Sequence, residues 1–150
     1  MPKSFRRMRI SLQVLLTLVF FISLTGCMSN PDWGGHVEEF EIEHVKYAQM
    51  IRWGQFDKAA TWITQESVEE FLKQAGEAET IRFTDYKIIR TDIKREDWTA
   101  QVMVRYEMHR VDELINQMIT EKQSWKFNEE AERWELNTDL FEVLKPALDK

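Results

Sequence analysis

Residues 98–109 read WTAQVMVRYEMH and contain the clearest pattern in the chain. Apolar and polar side chains alternate there with a period of two, the spacing of a β-strand with one buried and one exposed face. The apolar set comprises Trp98, Ala100, Val102, Val104, Tyr106 and Met108, and the other set comprises Thr99, Gln101, Met103, Arg105, Glu107 and His109. The stretch predicts a long strand that packs on a core through its even-numbered residues.

Further strands are expected on both sides of this stretch. The preceding strand is predicted from Ile81 and Phe83, then Tyr86 and Ile88, with a slip of register between Phe83 and Tyr86. The following strand carries a set of residues on one parity: Ile115, Ile119, Trp125 and Phe127, with Gln117, Glu121 and Gln123 between them. Residues 128–131 form a hairpin turn, and residues 133–136, RWEL, return as a fourth strand.

Helical spacing dominates the chain before residue 80. Apolar residues recur every three or four positions at Val37, Phe40, His44, Tyr47, Ala48 and Ile51, and Gly54 is the expected end of this helix. A second short helix carries Phe56, Ala59, Ala60 and Ile63. Ser67 and Glu70 have the spacing of a capping box for a third helix that closes at Gly76. Leu140, Phe141, Val143 and Leu144 predict a short terminal helix.

Helices followed by antiparallel strands indicate an α+β fold, with N-terminal helices packed on a curved four-stranded antiparallel sheet. Residues 36–144 resemble the nuclear transport factor 2-like, or cystatin-like, cone family, through QSWKF at 123–127 and RWEL at 133–136. The resemblance implies a cone-like cavity between helices and sheet. Many domains of this family are accessory or binding modules, whereas its isomerases and dehydratases place an Asp or His base at the mouth of the cone, with Tyr nearby.

The first 26 residues have the composition of a secretory signal peptide. Four basic residues lie within the first nine, and a 15-residue apolar stretch runs from Ile10 to Leu24. Such a stretch is short for a permanent span of a bilayer, which needs about 20 residues. A short anchor or a buried helix is the alternative. The sequence predicts a signal peptide over 1–26, a tether over 27–35 and one extracytoplasmic domain over 36–150.

Leu24-Thr25-Gly26-Cys27 resembles the lipobox of bacterial lipoproteins. The resemblance implies cleavage between Gly26 and Cys27, a diacylglyceryl thioether on the Cys27 sulfur and an acyl group on its freed amine. Two or more chains give stable anchoring, where one chain is marginal. Met28 replaces the Asp that retains such proteins at the inner membrane, which favours the periplasmic face of the outer membrane, with the inner membrane as the alternative. A chance cysteine is the competing interpretation.

The charge of the chain argues against nucleic acid as a partner. The formal charge is −6, and removal of the first 26 residues, with their four positive charges, makes it −10. We expect no metal, because the three histidines lack the spacing of a ligand set, and no cofactor, because no glycine-rich phosphate loop is present. His44 lies on the apolar stripe of the first helix, which favours a hydrogen-bonded core histidine.

Catalytic residues are not expected, although several side chains could serve in a cone. The candidates are His109, Glu107, Tyr106, Asp85, Tyr86 and Tyr47. By parity Tyr106 shares the apolar face, whereas Glu107 and His109 share the polar face, which disfavours a buried acid–base pair.

The chain is rich in tryptophan, with six residues at positions 33, 53, 62, 98, 125 and 134. Core filling is the favoured role for each, except for Trp33 in the tether. Trp33, Tyr106 and His109 are the candidate contacts to a ligand or partner. We therefore expect a lipid-anchored, non-catalytic binding or accessory module for another envelope protein. The alternatives are a small hydrolase, isomerase or dehydratase, or a carrier of an apolar ligand. An open polar cavity with a carboxylate of displaced pKa would favour the enzyme, and a filled core with an exposed apolar patch would favour the binding module.

Overall fold

A computed structural model describes residues 35–149, apart from the side chain of Leu114. The signal peptide, the lipobox with Gly26 and Cys27, and Trp33 lie outside the described residues. The helices are α1 (His36–Arg52), α2 (Phe56–Ala59), a 3-10 helix (Ala60–Trp62), α3 (Val68–Glu77) and α4 (Leu140–Leu148). The strands are β1 (Ile81–Lys94), β2 (Thr99–Arg110), β3 (Glu113–Asn128) and β4 (Arg133–Thr138).

The four strands form one antiparallel sheet in the order β1-β2-β3-β4, which confirms the α+β prediction. Even-numbered residues of β2 face the core, as the alternation predicted, and Ala100, Val102, Val104, Tyr106 and Met108 are almost completely buried. The register between β1 and β2 shifts between Phe83 and Asp85, which confirms the predicted slip. A second shift lies between Ile88 and Arg90.

Helix α1 packs its predicted stripe on the sheet, with Phe40, His44, Tyr47, Ala48 and Ile51 buried. It ends as predicted, because Gly54 adopts a left-handed φ of 65° that other residues rarely adopt. The amide of Gly54 donates to the carbonyl of Ile51, and that of Gln55 donates to Met50, the pattern of a Schellman motif. Trp53 is thereby placed at the C-terminal cap of α1.

Four local predictions are wrong. Ser67 precedes α3, but its side chain makes no capping hydrogen bond, because its backbone is near-helical (φ −108°, ψ −9°) instead of extended. At its other end α3 continues past Gly76 to Glu77. Trp98 lies in the turn before β2, with a φ of 47°. Ile115 is 67% exposed, because a register shift between Met108 and Arg110 interrupts the alternation.

Candidate functional site

The interior of the domain, between the helices and the sheet, holds a buried carboxyl group. Glu121 of β3 faces the core and is 0% exposed, as are Tyr47 of α1, Tyr106 of β2 and Gln123 of β3. Glu121 and Gln123 have the same parity as Trp125, so the pleat of β3 turns all three side chains inward. The register sets Tyr106 opposite Ile119, the inward neighbour of Glu121. Two strands and a helix therefore meet around one carboxyl group.

Three donors hold the Glu121 carboxyl. The Tyr47 hydroxyl donates to Oε1 over 3.0 Å, and the Thr138 hydroxyl donates to the same oxygen. The Gln123 amide nitrogen donates to Oε2 over 2.7 Å. Gln123 is itself fixed in orientation, because its oxygen accepts from Trp125 Nε1 over 2.9 Å. Glu121 Oε2 must therefore act as an acceptor.

Tyr106 is the exception in this cluster. Its hydroxyl is buried and has no hydrogen-bond partner of acceptable geometry among the described residues. Burial raises the pKa of Tyr106 well above its usual value, and the nearby charge of Glu121 raises it further. The hydroxyl thus lies close enough to Glu121 to interact with its charge, but it does not add a well-formed hydrogen bond to the three described above.

Burial also shifts the pKa of Glu121 and that of Tyr47. It raises the pKa of Glu121, against the opposing effect of the hydrogen bonds from Thr138, Gln123 and Tyr47. Burial raises the pKa of Tyr47 as well, and the adjacent Glu121 carboxylate adds to that increase. A carboxyl with a raised pKa beside tyrosines has the chemical character of a general acid or base.

Access to this carboxyl is closed. Glu121 and the two tyrosines are fully buried, and the space around them is filled by large rings, including Trp125 and Trp134 at 1% exposure. A cavity of about 220 Å³ lies between α3, β4 and α4; Thr138 lines it and Glu121 does not. Since a general acid or base must reach the proton it moves, Glu121 would need an opening in the core to act on an external substrate.

The structure separates the candidates that the sequence suggested. Tyr47 and Tyr106 meet at Glu121, whereas Glu107 and His109 lie on the opposite face of the sheet from Tyr106. Asp85 accepts a hydrogen bond from the amide of Tyr86 on the exposed side of β1. The Tyr86 ring lies near Tyr106, with 6.3 Å between ring centroids. His44 hydrogen-bonds the carbonyl of Phe40 over 2.8 Å, which confirms the expected core histidine.

Sequence reasoning missed Glu121 and Gln123 as members of a site. Their position between Ile119 and Trp125 on one parity was the available signal. The core-filling role of tryptophan is confirmed at Trp125 and Trp134. Trp53, in contrast, is 62% exposed and belongs to a different surface.

That surface, the Trp53 surface, consists of Ile42, Val45, Trp53 and Leu72. These side chains are 53%, 37%, 62% and 44% exposed, respectively. Ile42, Val45 and Trp53 lie on one face of α1, because they are separated by three and eight residues. Trp53 and Leu72 line a common groove of about 650 Å³. The surface thus extends from a helix face into a groove between α1, α3 and β1.

Charges of both signs surround the apolar part of the groove. The Arg52 guanidinium lies 4.8 Å from the centre of the Trp53 ring and donates to the carbonyl of Phe83. Arg82 donates to the carbonyl of Glu79 at the end of α3. Asp57 and Glu79 line the same groove. Within the described residues neither arginine forms a salt bridge, so both guanidinium groups keep donors for a partner.

Among residues 35–149 there is no cluster of three or more side chains suited to hold a metal ion. No helix in this part of the chain has the length and hydrophobicity to cross a bilayer.

Comparison of the chain with protein-family models, with curated proteins and with solved structures finds no match. The resemblance to the cone family therefore remains a prediction from element order and sequence pattern, while the α+β architecture itself is observed.

Proposed function

We propose that this chain is a lipid-anchored envelope lipoprotein whose domain binds another envelope protein through the Trp53 surface, without catalysis. The observation that carries the proposal is the exposure of Trp53 beside Leu72, while the carboxyl cluster is sealed inside the core. Tryptophan and arginine are the residues most enriched at the energetic centres of protein interfaces. Arg52 stacked on Trp53 supplies both at one point of the groove.

The geometry supports a helical partner segment. Ile42, Val45 and Trp53 form a stripe along α1, and 11 residues of helix span about 16 Å. An amphipathic helix laid along this stripe would place apolar side chains against it and reach the groove with its end. The charges of both signs around the groove match the polar face of a protein segment better than a uniformly anionic lipid surface.

Photocrosslinking tests the binding surface. A photoreactive amino acid in place of Trp53, in the full chain in intact cells, is expected to give one discrete adduct with an envelope protein. Ile89 is the matched control position, because it is 41% exposed on β1, away from the groove. Leu72→Asp should abolish the adduct formed at position 53. Equal adducts at positions 53 and 89, or an adduct that is insensitive to Leu72→Asp, would contradict the proposal.

Lipid labelling tests the anchor separately. Cys27→Ser removes the only thiol in the chain and is expected to abolish acylation and to release the protein from membranes. A variant that is still acylated and membrane-bound would show that the lipobox interpretation is wrong. It would leave the crosslinking result unaffected.

The enzyme and carrier alternatives both require an opening into the core. Glu121, the group with the right chemistry for an enzyme, does not line the grooves at Trp53, Trp98, Thr138 or Trp62. A carrier needs an apolar void, and that position is filled by Phe40, Trp125 and Trp134.

A further inference from the structure

The face of the sheet that points away from the core, here called the basic face, is rich in lysine and arginine. β2 turns its even-numbered residues inward, so its odd-numbered residues and their registered partners on the other strands share the outer face. This face has eight basic residues, Arg82, Lys87, Arg90, Lys94, Arg105, Lys122, Lys126 and Arg133, and four acidic residues, Asp85, Asp92, Glu107 and Glu135.

The helices on the other side of the sheet have the opposite charge. Residues 35–80, which contain α1, α2 and α3, hold ten acidic and four basic residues. At physiological ionic strength a charge acts over about 8 Å, so a partner on the basic face senses the local charge and not the total charge of the chain. An acidic chain therefore presents a cationic surface on one side.

Four cations gather at the middle of the basic face, and we call them the basic cluster. Lys87 of β1 lies directly opposite Arg105 of β2, which places their Cβ atoms about 5 Å apart. In the next row Arg90 and Lys122 flank Met103 from the two neighbouring strands. The four cations are exposed and Met103 is half-buried. Positive charges thus surround one apolar side chain.

The described residues leave most of this charge without a partner. Lys87, Arg105 and Lys122 form no salt bridge among residues 35–149, and only Arg90 pairs, with Asp92. Like charges directly opposite each other on neighbouring strands destabilise a sheet. The pairing of Lys87 with Arg105 therefore costs stability that no contact in this part of the domain restores, which supports an anion outside the domain as their partner.

The shape of the basic cluster favours lipid headgroups over a protein. None of its four residues lines the grooves at Trp53, Trp98, Thr138 or Trp62. The strongest contacts of a protein partner fill pockets. Lipid headgroups move independently, so they can gather at each cation on a flat surface without matching its shape. Lysine and arginine close to an anionic bilayer are each attracted to it.

We propose that the basic face docks on anionic lipid headgroups of the membrane that holds this protein. The docking rests on the proposed lipid anchor for its closeness to a bilayer, because attachment to the membrane converts a weak attraction into an intramolecular one. Ile42 and Val45 lie on the face of α1 that does not pack on the sheet. A docked basic face therefore leaves the Trp53 surface directed away from the lipid.

Vesicles with a nitroxide quencher on some headgroups test the orientation. The full chain, isolated from the cells that produce it, is reconstituted into about equal amounts of phosphatidylglycerol and phosphatidylcholine. Gln101→Cys places a fluorophore on the basic face and Ile42→Cys places one on the helices, and both positions are exposed. The unsubstituted chain corrects for label at Cys27, the only native thiol.

Quenching at position 101 is expected to be at least about threefold stronger than at position 42. The difference should disappear in pure phosphatidylcholine and at about 0.5 M salt. It should also disappear when Lys87→Gln and Arg105→Gln are combined. The matched control combines Lys46→Gln and Lys73→Gln, which removes the same charge from the helices and should preserve the difference.

Equal quenching at the two positions, a difference that survives in phosphatidylcholine, or equal effects of the two double variants would overturn the proposal. Shielding of position 101 only after addition of an envelope extract would indicate an acidic protein and would also overturn it. If the Lys87 and Arg105 double variant does not unfold cooperatively, Lys122→Gln replaces it, with Lys46→Gln as its control.

Failure of the anchor gives a different result. A fluorophore on the unsubstituted chain would show that the Cys27 thiol is free, which contradicts the anchor and not the docking. The same chains are then mixed with preformed vesicles of the same composition. Stronger quenching at position 101 than at position 42 would still support docking of the basic face, and equal or absent quenching would overturn it.

Discussion

Replacement of Glu121 by glutamine is expected to remove a pH dependence from the stability of the domain. Burial raises the pKa of this carboxyl in the folded chain above the 4.5 of an unperturbed glutamate. Over the range between these two values the folded chain holds a proton that the unfolded chain has released. The stability that Glu121 contributes is therefore complete below about pH 4.5 and is lost as the pH rises through the folded pKa.

The size of the pH dependence follows from the single proton that Glu121 binds. Within this range the stability of the native chain falls by at most about 1.4 kcal/mol per pH unit on account of Glu121. The glutamine does not titrate. Its oxygen can accept from Gln123, but the hydroxyl hydrogens of Tyr47 and Thr138 then lose their acceptor, a constant cost of about 1–3 kcal/mol.

Urea unfolding followed by tryptophan fluorescence measures both the pH-dependent contribution and the constant cost, since Trp125 and Trp134 are buried in the folded chain. The difference in stability between the native chain and Glu121→Gln should shrink between about pH 4 and pH 8. Glu107→Gln, on the exposed face of the sheet, is the control and should give a nearly constant difference. A difference for Glu121→Gln that grows with pH would mean that folding favours the ionised carboxyl, which would refute the reasoning from burial.

Two pairs of substitutions test the hydrogen bonds in the same unfolding assay. Tyr47→Phe removes a buried donor and should destabilise by about 1–2 kcal/mol, whereas Tyr106→Phe should change stability by less than about 0.5 kcal/mol, because its hydroxyl has no partner among the described residues. Equal losses would contradict the assigned donors. Asp139→Ala should cost about 1 kcal/mol, because its carboxylate accepts from a β3 amide over 2.7 Å, and Ser67→Ala should cost less than about 0.5 kcal/mol, because that side chain makes no cap. A larger loss of stability for Ser67→Ala would show that the Ser67 side chain does cap α3.

Hydrophobic periodicity predicted the fold because the two-residue alternation of β2 and the helical stripe of α1 both continue over long stretches without interruption. The alternation in β2 and the stripe on α1 are consequences of burial on one face, so they are present in the sequence and again in the structure. The alternation fails where backbone geometry intervenes. At Ile115 a register shift moves the side chain out, and at Ser67 a near-helical backbone removes the cap. Neither departure can be recognised from the hydrophobicity pattern alone.

The buried cluster was harder to predict, for a physical reason. A glutamate is normally assigned to the surface, because burying it without partners is costly. Its partners here are remote in sequence: Tyr47 lies 74 residues away and Thr138 lies 17 residues away. Strand parity places Glu121 on the inner face, but only tertiary packing brings the donors to it. Likewise, Trp53 is exposed because α1 ends there, whereas Trp125 at a strand interior is covered.

The sealed carboxyl has a structural explanation that needs no substrate. Its bonds join α1 through Tyr47, β3 through Gln123 and the end of β4 through Thr138. A slip of β3 by one residue would turn Glu121 outward and leave these buried donors without an acceptor, so the cluster favours a single register and a single position for α1. Because Trp53 caps α1, the same bonds fix the groove in which it lies. On this reasoning Glu121→Gln lowers stability but preserves crosslinking at position 53, whereas loss of that adduct in a folded variant would require a direct role for the carboxyl.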